Sequence, residues 1–211
     1  MSTVTFSAHD LKHMERNFRR ELINSVAGFK SANLIGTADE NGRTNLAVFN
    51  SVVHVGANPP YLGFVLRPLT VPRHTFDNIK AIGHYTMNAV HADFVEKAHQ
   101  TSANYDEGTS EFEVCGLTPF YTKAHPAPYV TESHIRIGLK FTEQHLIKAN
   151  NTIFMVGEVI EVMVDESILD EDGFVALEAA NTVASVGLDA YYQPKRLTRL
   201  PYARAEGKLA Q

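Results

Sequence analysis

Between Arg67 and Asn78 the chain gathers two arginines, a histidine, a threonine and an asparagine: Arg67, Arg73, His74, Thr75 and Asn78. Val71-Pro72 reads as the start of a short helix, with Phe76, Ile79 and Ile82 on its inner side and Gly83 as its stop. A helix start presents free N–H groups and the positive end of the helix dipole, so it attracts anions. Arginine adds a charge-assisted, often bidentate contact to phosphate. Thr75 and Asn78 can donate further hydrogen bonds. The segment reads either as a phosphate cradle or as a capped surface helix with solvated basic residues. No Walker-type loop and no G-x-G-x-x-G occurs, so no nucleotide motif decides between them.

The second signal is a strand read over residues 43–55. Leu46, Val48, Asn50 and Val52 share one face, mostly large and apolar, as a barrel interior requires. Asn45, Ala47, Phe49, Ser51 and Val53 share the other, which mixes small, polar and aromatic groups. A solvent face rarely carries Phe and Ala together. A planar, partly polar ligand would cover such a face, and so would a second subunit or an overlying helix.

Other chemistries find less support. The ten histidines are scattered; His9 and His13 lie four apart on a helix, but no third ligand follows, so no metal is expected. No G-x-S-x-G marks a nucleophile elbow. Cys115 is alone, cannot form an internal disulfide, and reads as a small buried hydrophobe. No residue stands out as catalytic.

These residues need a scaffold, and the 211-residue chain is 44% apolar and 20% charged, which suits a packed core. Its net charge of −5 argues against nucleic acid as a partner. The longest apolar runs, such as 62–66, are far short of a bilayer span, and residues 1–10 lack a signal-peptide pattern. The expectation is a cytoplasmic protein with no membrane contact. Ser7 and Asp10 form a loose capping box before Leu11, Met14, Phe18 and Leu22, which predicts one helix ending at Gly28. Asn41-Gly42 predicts a hairpin turn between strands 31–37 and 43–55. Further strands are expected at 61–66, 84–90, from 134 onward and at 152–164, with a short helix at 92–100. Residues 101–128 read as irregular, and so long a loop usually covers something or works. The domain reading is a helical segment at 1–28, a barrel-like domain at 29–190 and an extended arm at 191–211.

The strand Asn45-Leu46-Ala47-Val48-Phe49-Asn50-Ser51-Val52, followed by Asn58-Pro59-Pro60-Tyr61-Leu62-Gly63-Phe64, resembles the flavin reductase-like family of FMN-binding split barrels. Arg73-His74-Thr75-Phe76-Asp77-Asn78-Ile79 resembles that family's Thr-x-x-Asn-Ile helix start. Cys115-Gly116-Leu117-Thr118 resembles its Gly-Leu-Thr segment, and Phe154-Met155-Val156-Gly157-Glu158-Val159 its late strand. The shared order runs from about residue 30 to 165 and lies nearest the flavoredoxin-like branch.

The resemblance implies a mainly β fold with short helices, a six-stranded antiparallel Greek-key split barrel. It also implies a homodimer with FMN, or FAD, near the subunit interface. By position, Asn45, Phe49, Asn50, Ser51 and Val52 would line the flavin ring and ribityl chain. Arg67, Arg73, His74, Thr75 and Asn78 would form the phosphate side. The implied activity is an oxidoreductase in which NAD(P)H passes hydride to the flavin and electrons move on to an acceptor, a protein among the candidates. His125 or His134 would be available to steer a nicotinamide. Two alternatives stand beside it: a non-catalytic FMN-binding electron carrier, and a flavin-free dimeric binding module.

Overall fold

The computed structural model describes residues 2–106 and 108–204. In chain order the elements are α1 (Ala8–His13), α2 (Arg16–Val26), β1 (Lys30–Ser31), β2 (Asn33–Ala38), β3 (Thr44–Phe49), β4 (Val52–Ala57) and β5 (Pro60–Leu66). Then follow α3 (His74–Ile82), β6 (His84–Ala89), α4 (Val95–Gln100), α5 (Glu111–Val114), β7 (Pro119–Phe120), β8 (Tyr129–Val130), β9 (Ile135–Ile147), β10 (Thr152–Val164), β11 (Ala184–Val186) and β12 (Ala190–Tyr192).

One antiparallel sheet dominates, with strand order β3-β2-β6-β9-β10-β5-β4. Its two edge strands, β3 and β4, are consecutive in the chain and joined only by Asn50-Ser51. So short a link forces the two edges together, and the sheet closes into a barrel split at that corner. Ser51 stitches the corner: its carbonyl accepts the Val65 N–H at 3.2 Å and its hydroxyl donates to the Val65 carbonyl at 2.9 Å. The sheet has seven strands rather than six because the continuous strand expected over 43–55 breaks here.

The break also reverses the expected faces. Phe49 and Val52 both pack into the barrel cluster of Ile35, Phe64, Leu66, Ile79, Tyr85, Met87, Leu139, Ile153 and Met155. Two inward residues three apart in sequence require one extra residue in the corner. Ala47 lies opposite Ile35 and Asn45 opposite Thr37, so Asn45, Ala47 and Phe49 face inward. Leu46 and Val48 face outward, into a second cluster with Leu34, Phe94, Ala98, Phe112 and Val183 under the short helices. Both faces of β3 are therefore covered by the chain itself.

The local signals explain most elements. The Asp39 carboxylate accepts the Asn41 and Arg43 N–H groups, each at 2.8 Å, and Gly42 takes φ +78°, closing the β2–β3 hairpin. The Ser7/Asp10 capping box starts α1. The single N-terminal helix expected there is two, because the chain extends at Met14 and Glu15 restarts it by accepting the Phe18 N–H at 2.8 Å. Cys115 is buried, as expected, and burial pushes its thiol up from the ordinary range. The arm beyond β12 is held by Arg196 on Glu178 and Arg199 on Asp172, each at 2.5 Å, with both guanidiniums over Phe174. Its last residues, 205–211, lie outside the described residues. No helix among the described residues is long and apolar enough to cross a membrane.

The irregular segment covers the sheet. Residues 125–130 lie across its outer face as a strap: Thr86 Oγ1 donates to the Pro128 carbonyl at 2.6 Å, the Val130 N–H to Asn88 Oδ1 at 3.0 Å, and Tyr129 OH to Glu161 Oε2 at 2.6 Å. Gly36 and Gly138 make room for it. A Cβ at Gly36 would overlap the Pro128 carbonyl oxygen, and one at Gly138 would overlap the Tyr129 hydroxyl. Gly36→Ala is expected to lower stability by about 1–3 kcal/mol, the usual cost of overpacking a tight contact. A thermal melt reads that loss as a drop of several degrees; an unchanged melt would show that the strap yields freely.

Candidate functional site

On the barrel wall formed by β2 and β3, α3 packs against both strands. Four buried polar side chains join them. Asn78 Nδ2 donates to Thr37 Oγ1 at 3.1 Å, while Asn45 Nδ2 donates to Thr75 Oγ1 at 3.1 Å and to Thr37 Oγ1 at 3.4 Å. All four residues are at most 9% exposed. Buried amides and hydroxyls must find such partners, so the set fixes how the first turn of α3 sits on the barrel.

That first turn carries no side-chain cap. The Phe76 and Asp77 N–H groups both reach the Arg73 carbonyl, at 2.8 and 3.0 Å, and the His74 and Thr75 amides head the helix. Arg73 occupies the cap position, and its Nε is buried with no hydrogen-bond partner. Such a donor is costly unless something accepts from it. His74 and Arg67 are exposed, and neither arginine forms an ion pair among the described residues. Beside this helix start, residues 69–73 and Asp77 line a shallow groove of about 360 Å³.

The other predicted residues sit at the far end of β3, about 13 Å of strand away from Asn45, and in the corner just beyond it. Asn50 Nδ2 donates to the Gly187 carbonyl at 3.2 Å, Ser51 holds Val65, and Phe49 meets Phe64 edge-on with ring centroids 5.1 Å apart. Val52 packs in the barrel interior. The loop 67–73 connects the two groups: it leaves β5 two residues after Val65, which Ser51 holds, and ends two residues before Thr75, which Asn45 holds. Thus Asn45, Arg73, His74, Thr75 and Asn78 come together, and Asn50, Ser51 and Val52 form a separate corner at the opposite end of the same loop.

His125 is not available to a ligand. It is 2% exposed, turned from the strap onto the sheet with Nε2 at 3.3 Å from the Leu139 carbonyl, and burial lowers its proton affinity. His134 pairs its Nδ1 with Asp165 Oδ2 at 2.5 Å and its backbone N–H with buried His91 Nε2 at 3.1 Å. Among the described residues no three His, Cys, Asp or Glu side chains are grouped to hold a metal ion.

Sequence reasoning missed Glu111 and Thr37. Glu111 is only 8% exposed, and its Oε2 accepts the Leu46 N–H at 2.9 Å on the open edge of β3. Ser110 adds a hydroxyl contact to Thr44 at 2.6 Å. A carboxylate amid Ser-Glu-Phe-Glu gives no sign of burial, because only the fold brings it to a strand edge. Desolvation pushes the Glu111 carboxyl above its ordinary value, opposed by the Leu46 N–H and by His74 nearby.

The barrel, its split corner and the uncapped helix start at the other end of loop 67–73 define a split-barrel protein of the flavin reductase type. Residues 26–195 match the family model described as "Flavin reductase like domain", and the chain belongs to that family. A split-barrel protein of Shewanella frigidimarina NCIMB 400, named for an inferred flavin reductase activity, is 48% identical, with TM-score 0.92 over 95% of this chain and 100% of that one. Flavoredoxin of Desulfovibrio vulgaris (Miyazaki F) is 28% identical, with TM-score 0.71 over 85% of this chain and 93% of its own. Nitrilotriacetate monooxygenase component B from Bacillus cereus shares the fold at 18% identity and TM-score 0.82, over 95% and 100% of the two chains.

Glu111 also sets a pH dependence. A carboxyl held above its ordinary value keeps its proton more tightly in the folded chain, so stability falls as pH rises above about 4.5 and the group ionises. Glu111→Gln retains an acceptor for the Leu46 N–H and removes that ionisation. Its stability relative to the parent is expected to be higher at pH 7 than at pH 4. Denaturant midpoints at the two pH values check this, and a pH-independent difference would contradict it.

Proposed function

We propose that this chain is a flavin reductase that binds FMN at the split corner and takes its electrons from NAD(P)H. The observation that carries the reading is Arg73: a guanidinium at the head of an uncapped helix, with a buried Nε that has no partner. A phosphate seated there would accept from Arg73 and from the His74 and Thr75 amides, with Arg67 and His74 adding positive charge. Asn45, Thr75 and Asn78 act on the phosphate side by fixing the helix to the barrel, the two asparagine amides donating to Thr37 and Thr75 Oγ1. Phe49, Asn50, Ser51 and Val52 would border the ring at the other end of loop 67–73. When bound, the flavin supplies two-electron acceptance from a nicotinamide and release to an acceptor. The chain supplies position, and no acid–base pair is required of it.

Two further parts belong to this reading. Val53 and Val55 on the free edge strand β4 are nearly half exposed, and a second copy of the chain covering them would close the ring side of the site. The protein would work in the cytoplasm, passing electrons to a further acceptor. A second reading, an FMN-binding electron carrier without its own nicotinamide oxidation, draws on the likeness to flavoredoxin.

Arg73→Ala is expected to weaken FMN binding by about 1.5–3 kcal/mol, the value of a charged hydrogen bond. Fluorescence titration measures it, and unchanged affinity would remove Arg73 from the site. Anaerobic addition of NADH or NADPH to the FMN-loaded protein separates the two readings. Rapid bleaching of the flavin bands supports the reductase, whereas bands that persist until dithionite is added support the carrier.

A further inference from the structure

The large sheet has a third stretch of open edge, and its sequence is self-complementary. β6 pairs with β9 only from Arg136 to Lys140, and the Gly83 carbonyl accepts the Phe141 N–H at 2.8 Å. Beyond that point β9 runs on to Ile147 with β10 on one side and, among the described residues, no strand on the other. Every residue from 142 to 147 is exposed, Leu146 at 58%. Such a stretch offers its unpaired backbone N–H and C=O groups to any extended chain. Edges that stay open commonly carry Lys or Pro as a block, and Thr142-Glu143-Gln144-His145-Leu146-Ile147 has neither. The one register shift nearby lies at the root, opposite Val156/Gly157; from Glu143 to Ile147 the strand pairs one to one with β10, so its outer edge is regular.

We propose that this edge pairs antiparallel with the same edge of a second copy, about a two-fold axis at Gln144. The side chains choose both the occupant and the register. Glu143 and His145 share one face of β9, both more than half exposed, with Glu143 Oε1 3.4 Å from His145 Nε2. With Gln144 opposite the partner's Gln144, each Glu143 stands opposite the partner's His145, and carboxylates and imidazoles alternate around the axis. Directly opposed residues of an antiparallel pair are neighbours, and each imidazole can donate a charge-assisted hydrogen bond to a carboxylate. Moving the axis to Glu143 or to His145 would set like groups against each other instead. The pairing ends where Lys148 would meet the partner's Lys140, which β6 already flanks. This contact is separate from the one proposed at β4, which lies beyond β10 and β5, and it needs no flavin. Used together, the two contacts would join four chains. A strand pair this short buries less than a standard interface, so a dissociation constant on the order of micromolar is expected.

Sedimentation velocity on the full chain, over about a hundredfold range of concentration, tests this. His145→Glu sets two carboxylates opposite each other at each end of the pair and is expected to weaken the association at least about tenfold. Glu143→Lys/His145→Glu exchanges the charges, keeps them complementary and is expected to restore it. Both positions are exposed, and circular dichroism of the variants should match that of the parent. A parent chain that forms no larger species than His145→Glu at any concentration would overturn the pairing. Association lost in the single variant and not recovered in the exchange would overturn it as well, because the antiparallel register requires that recovery.

Discussion

The site depends on one hydroxyl. Thr37 Oγ1, near the hairpin end of β2, receives amide hydrogen bonds from Asn78 on α3 and Asn45 on β3. Asn45 also reaches Thr75, so three elements are tied in a space from which water is excluded. A buried amide left without a partner costs about 1–3 kcal/mol, so sliding α3 along the barrel would strand several such groups at once. The position of Arg73, the His74 and Thr75 amides and the groove beside them all follow from this attachment. The polar residues that sequence alone would assign to a ligand thus divide: Asn45, Thr75 and Asn78 hold the helix, and Arg73 is left with an unmet donor.

Closing a sheet through a two-residue corner leaves two strand edges to manage. The β3 edge is met by Glu111, a carboxylate brought in from a distant loop to accept the Leu46 N–H. Using a group that resists burial for this task gives the fold a pH-sensitive point directly beside the helix start. Among the described residues the β4 edge has no such cover and exposes Val53 and Val55. On the outer face, the strap at 125–130 comes close enough to the sheet that Gly36 and Gly138 leave no room for a side chain. The two apolar clusters, one inside the barrel and one under the short helices, make β2 and β3 a wall between them.

Much of this was legible in residue order, because local signals and tertiary packing agreed. The β-branched run at 152–164 forms β10 over that span; Asn41-Gly42 turns the hairpin; Gly83 ends α3 in the left-handed region at φ +74°. The split-barrel class followed from motif order and stands. What failed was alternation across a break. With one extra residue at Asn50-Ser51, every inward and outward assignment before the corner reversed, and no pattern within 43–55 marks that residue. Glu111 was invisible for a different reason: its role is set by contact with a strand about 65 residues away in sequence. His125 looked like a surface candidate because nothing in Ala-His-Pro shows that a strap will bury it.

The head of α3, fixed through Thr37, is proposed to recognise the phosphate of a flavin. Comparing the affinities of FMN and riboflavin for the unaltered protein by fluorescence titration tests it most directly, since the two ligands differ only in that phosphate. FMN is expected to bind at least about tenfold more tightly than riboflavin, with an advantage that shrinks as salt screens the arginines. Equal affinity of the two, or an advantage indifferent to salt, would contradict it.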